Sequence, residues 1–340
     1  MSCRPPDFFD ADEQHTEAPI RWGILGTGHM AEVFSTELLA LPGHRVTAVG
    51  SRTQSKAQRF ADTVGLRQAY GSYEALADDS ELDVIYIATP NSVHYPAARL
   101  CLDAHRAILI EKPFTVSGSE AMSLTEIARR RGLFAMEGMW MRFNPIIGQA
   151  RTLVSEGAIG EITALYADFG FAATYNPGDR LWAPALGGGA LLDLGVYPVA
   201  LAYSLLGMPE HIRALSLSAP TGVDTDTAAV LGFRSGAVAA IHVSLRATSP
   251  QTATIIGTRG RIVIDSPFFR PASLSVIRDG VVREKIGERL TGHGYTYQAE
   301  EVARCLRAGR TESPLWPLDA TTSVMTVLDE IRAAATLTRR

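Results

Sequence analysis

Over the first 140 residues, short apolar runs alternate with stretches of helical texture. Residues 20–25, 46–50, 84–89, 107–110 and 133–137 read as strands, and 31–41, 56–64, 73–77, 94–104 and 119–131 as helices. The run Val84-Ile85-Tyr86-Ile87-Ala88-Thr89 is apolar without alternation, as a strand covered on both faces should be. Such strand–helix alternation predicts an α/β unit with a parallel, doubly wound sheet.

Past Met139 the pattern changes. A helix at 145–156 precedes a strand at 161–169, and a helix spans 190–206. Strands then follow at 211–218, 225–233, 237–245, 251–257, 261–265 and 273–278, separated by glycine-bearing turns. Helices at 297–308 and 319–338 close the chain, the second with Val324, Val327, Leu328 and Ile331 on its core face. The second half therefore reads as an α+β domain on a large, mostly antiparallel open sheet. One sheet face would pack on helices and the other on a partner subunit. The expected division is 1–19 as a disordered extension, 20–138 as a nucleotide-binding domain, and 139–340 as a substrate-binding and oligomerisation domain.

Composition narrows the function. A chain of 340 residues has room for about two domains, and 46% hydrophobic with 20% charged residues allows a sizeable core. A net charge of −4 and a pI near 6.1 carry no footprint for nucleic acid or an anionic membrane. No uninterrupted apolar run is long enough to span a bilayer, and the acidic, Pro-containing start lacks the apolar core of a signal peptide. Cys3, Cys101 and Cys305 are too far apart for a paired framework, with Cys101 and Cys305 expected on helix faces as small hydrophobes. A cytoplasmic protein is the expectation.

The first turn carries the most specific signal. Strand 20–25 runs into Gly26-Thr27-Gly28-His29-Met30-Ala31, a G-x-G-x-x-A between strand and helix. In that context the glycines permit a tight turn and close approach of backbone to a pyrophosphate, and the helix N-terminus offers free N–H groups. A dinucleotide is the expected ligand. Its type is read at the end of the second strand, where an acid would bind a ribose 2′-hydroxyl and an Arg a 2′-phosphate. Here Gly50-Ser51-Arg52-Thr53 has no carboxylate before Asp62. Ser51 and Arg52 favour NADP(H) over NAD(H), the alternative for Arg52 being a solvated loop cation.

Two further constellations carry chemistry. Glu111-Lys112-Pro113 ends the strand 107–110, where ligands of open α/β sheets bind. Lys112 points toward the cofactor in that reading, or forms a local ion pair with Glu111. The segment 187–198 opens a helix with three glycines and sets Asp193 and Tyr197 four residues apart on one face. Asp193 as a helix-dipole acid and Tyr197 as a half-buried ring are the alternatives. Thr89, Asn91 and His94 follow the strand 84–89 and are assigned to the nicotinamide side, with Asn91 equally able to cap the next helix. Trp140, Arg142 and Phe143 border a substrate pocket in this reading, although Arg142 serves equally as a structural ion-pair partner. Trp182 is a candidate wall for a sugar ring or a loop-packing residue. His94, His242 and His293 show no metal-ligand spacing.

The segments Trp22–Gly28, Ala88–His94, Glu111-Lys112-Pro113 and Gly188–Tyr197, in this order and spacing, resemble the Gfo/Idh/MocA oxidoreductase family over residues 20 to about 335. Tyr197, where many members carry His, resembles the dihydrodiol dehydrogenase and NADP-dependent xylose dehydrogenase branch, as does Trp140-Met141-Arg142-Phe143. The resemblance implies that Lys112 holds the reacting oxygen, Tyr197 passes its proton and Asp193 anchors a neighbouring hydroxyl, with a cis bond before Pro113. A nearby ammonium is expected to lower the phenol pKa from near 10. The implied activity is NADP(H)-dependent interconversion of a carbohydrate-like alcohol and ketone or lactone by a homodimer or homotetramer paired through the second sheet. A cofactor-dependent glycosidase on the same fold and a non-catalytic sensor are the alternatives.

Overall fold

The structure is a computed structural model that describes residues 18–339. The expected N-terminal extension therefore lies almost wholly outside the described residues. The first half comprises β1 (Ile20–Leu25), α1 (His29–Leu39), β2 (His44–Gly50), α2 (Gln54–Val64), β3 (Gln68–Tyr70), α3 (Tyr73–Ala77), β4 (Val84–Ile87), α4 (His94–Asp103), β5 (Ala107–Glu111), α5 (Gly118–Arg131) and β6 (Ala135–Gly138). Its strands form a six-stranded parallel sheet in the order β3-β2-β1-β4-β5-β6. The order reverses between β1 and β4, which opens a crevice at their C-terminal ends. β4 and β5 are buried along their whole length, as uninterrupted apolar runs require.

The second half comprises α6 (Pro145–Ser155), β7 (Ile162–Gly170), α7 (Val196–Leu206), β8 (Pro209–Ser218), β9 (Asp224–Phe233), β10 (Val238–Ser244), β11 (Ala253–Gly257), β12 (Gly260–Ile264), β13 (Ser273–Arg278), β14 (Val281–Gly287), α8 (Thr296–Arg307), α9 (Leu318–Ala334) and β15 (Ala335–Arg339). Nine strands form one sheet in the order β14-β13-β12-β11-β7-β10-β9-β8-β15, with β7–β10 and β8–β15 parallel and every other pair antiparallel. α7 packs on one face. On the other, Tyr166, Leu215, Val230 and Val238 stand exposed.

Three expectations need correction. The closing helix ends at Ala334 rather than near 338, because the next five residues pair with the free edge of β8. The short strands β3 and β14, at sheet edges, were not anticipated. Residues 184–206, with a mean hydropathy of 1.5, are long and apolar enough by composition to cross a membrane, contrary to the sequence reading. Most of that stretch is buried inside the protein, and Asp193 lies within it, so it is a core helix. Cys101 and Cys305 are buried on α4 and α8, as expected. α9 packs along both α5 and α7 and ties the two halves together.

Candidate active site

One cleft of about 490 Å³ runs from the β1–α1 turn to the start of α7. At its nucleotide end Gly26, Thr27, Gly28, His29 and Met30 form the floor. Gly26 has φ +115°, and a Cβ there would stand 2.5 Å from the Ala88 carbonyl oxygen, so packing of β1 against β4 demands glycine. Gly28 differs: an added Cβ would meet no protein atom within 4 Å and would project into open cleft. That vacant approach at the N-terminus of an 11-residue helix fits a pyrophosphate held by backbone N–H groups.

The end of β2 contributes Ser51 and Arg52, joined by Lys56 from the first turn of α2 and Tyr73 from α3. No carboxylate lines this end; the acids of the cleft, Glu111 and Asp193, lie at the other. Asp62 accepts a hydrogen bond from Gln58 on α2 and does not line the cleft. Lys56 and Tyr73 were missed, although Lys56, four residues past Arg52 at a helix start, was a readable signal.

At the centre, Thr89, Asn91 and His94 follow β4 into the cleft. Asn91 Nδ2 donates to the Gly187 carbonyl 3.0 Å away, so it links the two halves instead of capping α4. The His94 ring is fully buried, with Nδ1 2.8 Å from the Pro113 carbonyl oxygen and Nε2 2.9 Å from that of Thr89. Burial holds its pKa down to about 4 against the pull of those two carbonyls. A neutral ring carries one N–H and donates to only one of these two carbonyls. His94 is therefore packed between the loop after β4 and the Lys112–Pro113 bond, which is cis, with a single hydrogen bond.

Lys112 and the residues around Tyr197 meet at the far end. Lys112 Nζ donates to the Asp193 carbonyl at 3.0 Å and to its Oδ1 at 3.3 Å. It also lies 5.0 Å from the centroid of the Tyr197 ring, over its face. The local ion pair with Glu111 is not formed. Glu111 instead accepts hydrogen bonds from the Tyr86 hydroxyl and the Lys112 backbone N–H, and burial raises its pKa to about 6. Asp193 sits on one turn of π-helix, Leu191–Gly195, that precedes α7, a distortion found often at functional sites. Burial alone would raise the Asp193 pKa, but Lys112 and Arg180 together hold it below the ordinary carboxylate value. Arg180 Nη1 stands 2.9 Å from the same Oδ1. Asp193 thus anchors two cations, where the family resemblance implied a substrate hydroxyl.

Tyr197 also departs from expectation. Its hydroxyl accepts a hydrogen bond of 2.8 Å from Trp140 Nε1. Burial and the Glu111 carboxylate push its pKa well above 10. Lys112 faces the ring and not the hydroxyl, so the anticipated lowering of the phenol pKa does not occur in this state. The wall beside it is aromatic: Trp140 and Tyr295 have ring centroids 4.6 Å apart, and Phe269 lies 5.3 Å from Tyr197. Tyr295, Phe269 and Arg180 escaped the sequence reading because they come from loops whose position no periodicity reveals.

Arg142, Phe143 and Trp182 do not line the cleft. Trp182 Nε1 donates to the Thr174 carbonyl and its ring meets the edge of Tyr175, so it packs its own loop. Arg142 is buried behind Trp140. The three glycines serve packing and not ligand approach: a Cβ on Gly188 would stand 2.6 Å from the Leu181 carbonyl oxygen, and one on Gly189 2.4 Å from Asp224 Oδ1. Asp224 in turn accepts the Leu191 N–H at 2.7 Å and fixes the start of the π turn.

Comparison with known proteins agrees with this geometry. Residues 20–139 match the family model described as the oxidoreductase family with an NAD-binding Rossmann fold, and 147–263 match the GFO/IDH/MocA C-terminal domain. Trans-1,2-dihydrobenzene-1,2-diol dehydrogenase of Mus musculus is 36% identical over 331 residues, covering 94% of this chain and 98% of that protein. Its Homo sapiens counterpart is 34% identical, with the same coverage. Among solved structures, KijD10, a 3-ketoreductase from Actinomadura kijaniata in complex with NADP and TDP-benzene, superposes with a TM-score of 0.85 at 27% identity, covering 95% of this chain and 99% of that one. With the Rossmann crevice, the Lys112–Asp193–Tyr197 cluster and these full-length relatives, the chain belongs to the Gfo/Idh/MocA family and is an oxidoreductase with a nicotinamide cofactor site.

Proposed function

We propose that the protein is an NADP(H)-dependent oxidoreductase acting on a secondary alcohol or ketone of a sugar, cyclic polyol or dihydrodiol. The observation that carries this reading is the convergence of Lys112 and Tyr197, from different halves of the chain, at one end of the cleft whose other end is the glycine turn. The relatives' names, a diol dehydrogenase and a ketoreductase, support the substrate class.

The chain's own groups divide the work. Bound nicotinamide supplies the two-electron chemistry. Tyr197, kept protonated by burial, already accepts from Trp140, so its own proton is left for the oxygen of a substrate. Lys112 brings positive charge to that oxygen and is held in place by Asp193. Proton transfer from a positioned group contributes on the order of 10²–10⁴-fold in rate. Arg52 and Lys56, with no acid beside them, favour a 2′-phosphate.

A panel of sugars, inositols and cyclic diols, followed at the reduced-nicotinamide absorbance with NADP and with NAD, tests the reading. Lys112→Ala and Tyr197→Phe are each expected to lower turnover of the best substrate by roughly 10²-fold or more. Unchanged turnover in either would overturn the site assignment. Arg52→Ala is expected to weaken NADP binding while leaving NAD binding near its starting value, and equal losses would overturn the preference.

The exposed apolar face of the second sheet supports assembly as a homodimer or homotetramer through that sheet.

A further inference from the structure

Glu37 occupies a position that helix electrostatics disfavour. It lies in the last turn of α1, whose carbonyl end repels negative charge, and no basic residue shares that turn. Its side chain is only 9% exposed. Among the described residues no Lys or Arg pairs with it. Its side-chain partners come from the segment 291–295, between β14 and α8. One carboxylate oxygen accepts the His293 backbone N–H at 2.5 Å and stands 2.8 Å from His293 Nδ1. The other accepts the Tyr295 backbone N–H at 3.1 Å.

The segment is shaped around this carboxylate. Gly292 has φ +55°, and a Cβ on it would stand 2.9 Å from Glu37 Oε1, so any side chain there would displace the anion. The Gly294 N–H donates to the Thr291 carbonyl at 3.0 Å, and the Thr291 N–H to the Tyr297 hydroxyl at 3.2 Å, which ties the turn to the start of α8. Hydrogen bonds from backbone N–H groups to a carboxylate are charge-assisted and stronger than neutral ones.

What the turn carries is Tyr295. Met30 and Glu37, seven residues apart, share one face of α1. Tyr295 spans them: its N–H is held by Glu37, and its hydroxyl lies 4.0 Å from the Met30 sulfur. Met30 belongs to the glycine turn at the nucleotide end of the cleft. On the other side the Tyr295 ring lies 4.6 Å from Trp140, whose indole donates to Tyr197. A dinucleotide reaching from the glycine turn to Lys112 and Tyr197 therefore passes along Tyr295.

We propose that Glu37 is a positioning residue for the cofactor: by clamping the 291–295 turn it holds Tyr295 over the middle of the cleft, and opening of that clamp sets how fast bound dinucleotide leaves. Glu37 itself does not line the cleft, so it acts through Tyr295. The inference rests on the nicotinamide site and is independent of the substrate class and of the Lys112–Tyr197 chemistry.

Release is measured on the full chain by stopped flow, with bound NADPH or NADH chased by an excess of its oxidised form and followed by nicotinamide fluorescence. Glu37→Ala is expected to speed release by roughly tenfold or more. Glu37→Gln, which keeps one acceptor oxygen, should restore part of the difference, and it keeps the test readable if Glu37→Ala does not fold. His293→Ala retains both backbone bonds and should stay within about twofold of the wild type. Tyr295→Ala should also release faster, and adding Glu37→Ala to it should change little more, because the clamp then has nothing to hold. In native-state hydrogen exchange, the His293 and Tyr295 amides should lose protection in Glu37→Ala while β1 to β6 keep theirs, which separates an opened clamp from a loosened fold. Release unchanged in both Glu37 variants, or accelerated by Glu37→Ala equally with and without the Tyr295 ring, would overturn the proposal. A wild type that holds neither NADPH nor NADH would overturn the cofactor reading beneath it as well.

Discussion

Glu111 shows how a single residue carries a pH dependence. Its carboxyl is enclosed, accepts from Tyr86, and has a pKa raised from 4.5 to about 6, chiefly by burial. The folded state therefore favours the protonated form more than the unfolded chain does. That contribution is fully present below about pH 4.5 and is lost as pH rises through about 6. Chemical denaturation of the wild type and of Glu111→Gln across this window checks the sign. The wild type should lose roughly 2 kcal/mol relative to the variant between about pH 3.5 and pH 7, most of it between pH 4.5 and 6. A flat difference would mean that Glu111 ionises normally in the fold. At this same scale, the residue types of the site were legible: Lys112, Asp193 and Tyr197 do share a cleft. Their partners were not. Asp193 binds cations and Tyr197 is held acid-weak, because a pKa depends on neighbours brought in from distant segments.

The β1–α1 turn separates two roles of glycine within one element. At Gly26 the backbone conformation and the Ala88 carbonyl exclude any side chain. At Gly28, φ is −85° and the space is open toward the cleft. Gly26→Ala should therefore destabilise the fold by roughly 1–3 kcal/mol, read by denaturant unfolding. Gly28→Ala should cost about 1 kcal/mol or less while weakening dinucleotide binding, read by fluorescence titration. The reverse pattern would mean that the dinucleotide does not approach Gly28. Elements with strong periodicity were readable to within about two residues. β13 was read at its full extent, and 73–77 was read as the start of a short helix that ends at Ala77. The edge strands were harder: β3 has only three residues, and β14 presents mostly exposed positions with no buried stripe to betray it. The end of α9 is decided by a vacant sheet edge, which helical periodicity does not register.

For the whole molecule, the outer face of the nine-stranded sheet is the surface through which we propose assembly. Across neighbouring strands, Tyr166, Ala240, Val230 and Arg213 are paired in one row, and Leu215, Ala228 and His242 in the next. Most of that surface is apolar, which suits a self-complementary interface about a twofold axis. Val230→Glu, exposed and central, should lower the mass measured by light scattering after size exclusion to that of a smaller assembly while leaving the melting transition cooperative. An unchanged mass would direct attention to another surface. Exposure alternates along β9, but Ala228-Ala229-Val230-Leu231 is apolar on both sides, so the strand was readable from sequence and its outward face was not.

Taken alone, the sequence determined the parallel Rossmann sheet, its glycine turn, the cationic end of β2 and the amine, acid and phenol that share the cleft. These are local matters, set by hydrophobic period, by turn chemistry and by residue type at a strand end. Only the tertiary structure decided that Arg180 shares Asp193, that Trp140 holds the Tyr197 hydroxyl, that Tyr295 and Phe269 wall the cleft, and that Arg142 lies outside it. Those facts depend on burial and on contacts between segments 13 to more than 100 residues apart, and no local pattern in the chain encodes which distant side chain will fill a given space.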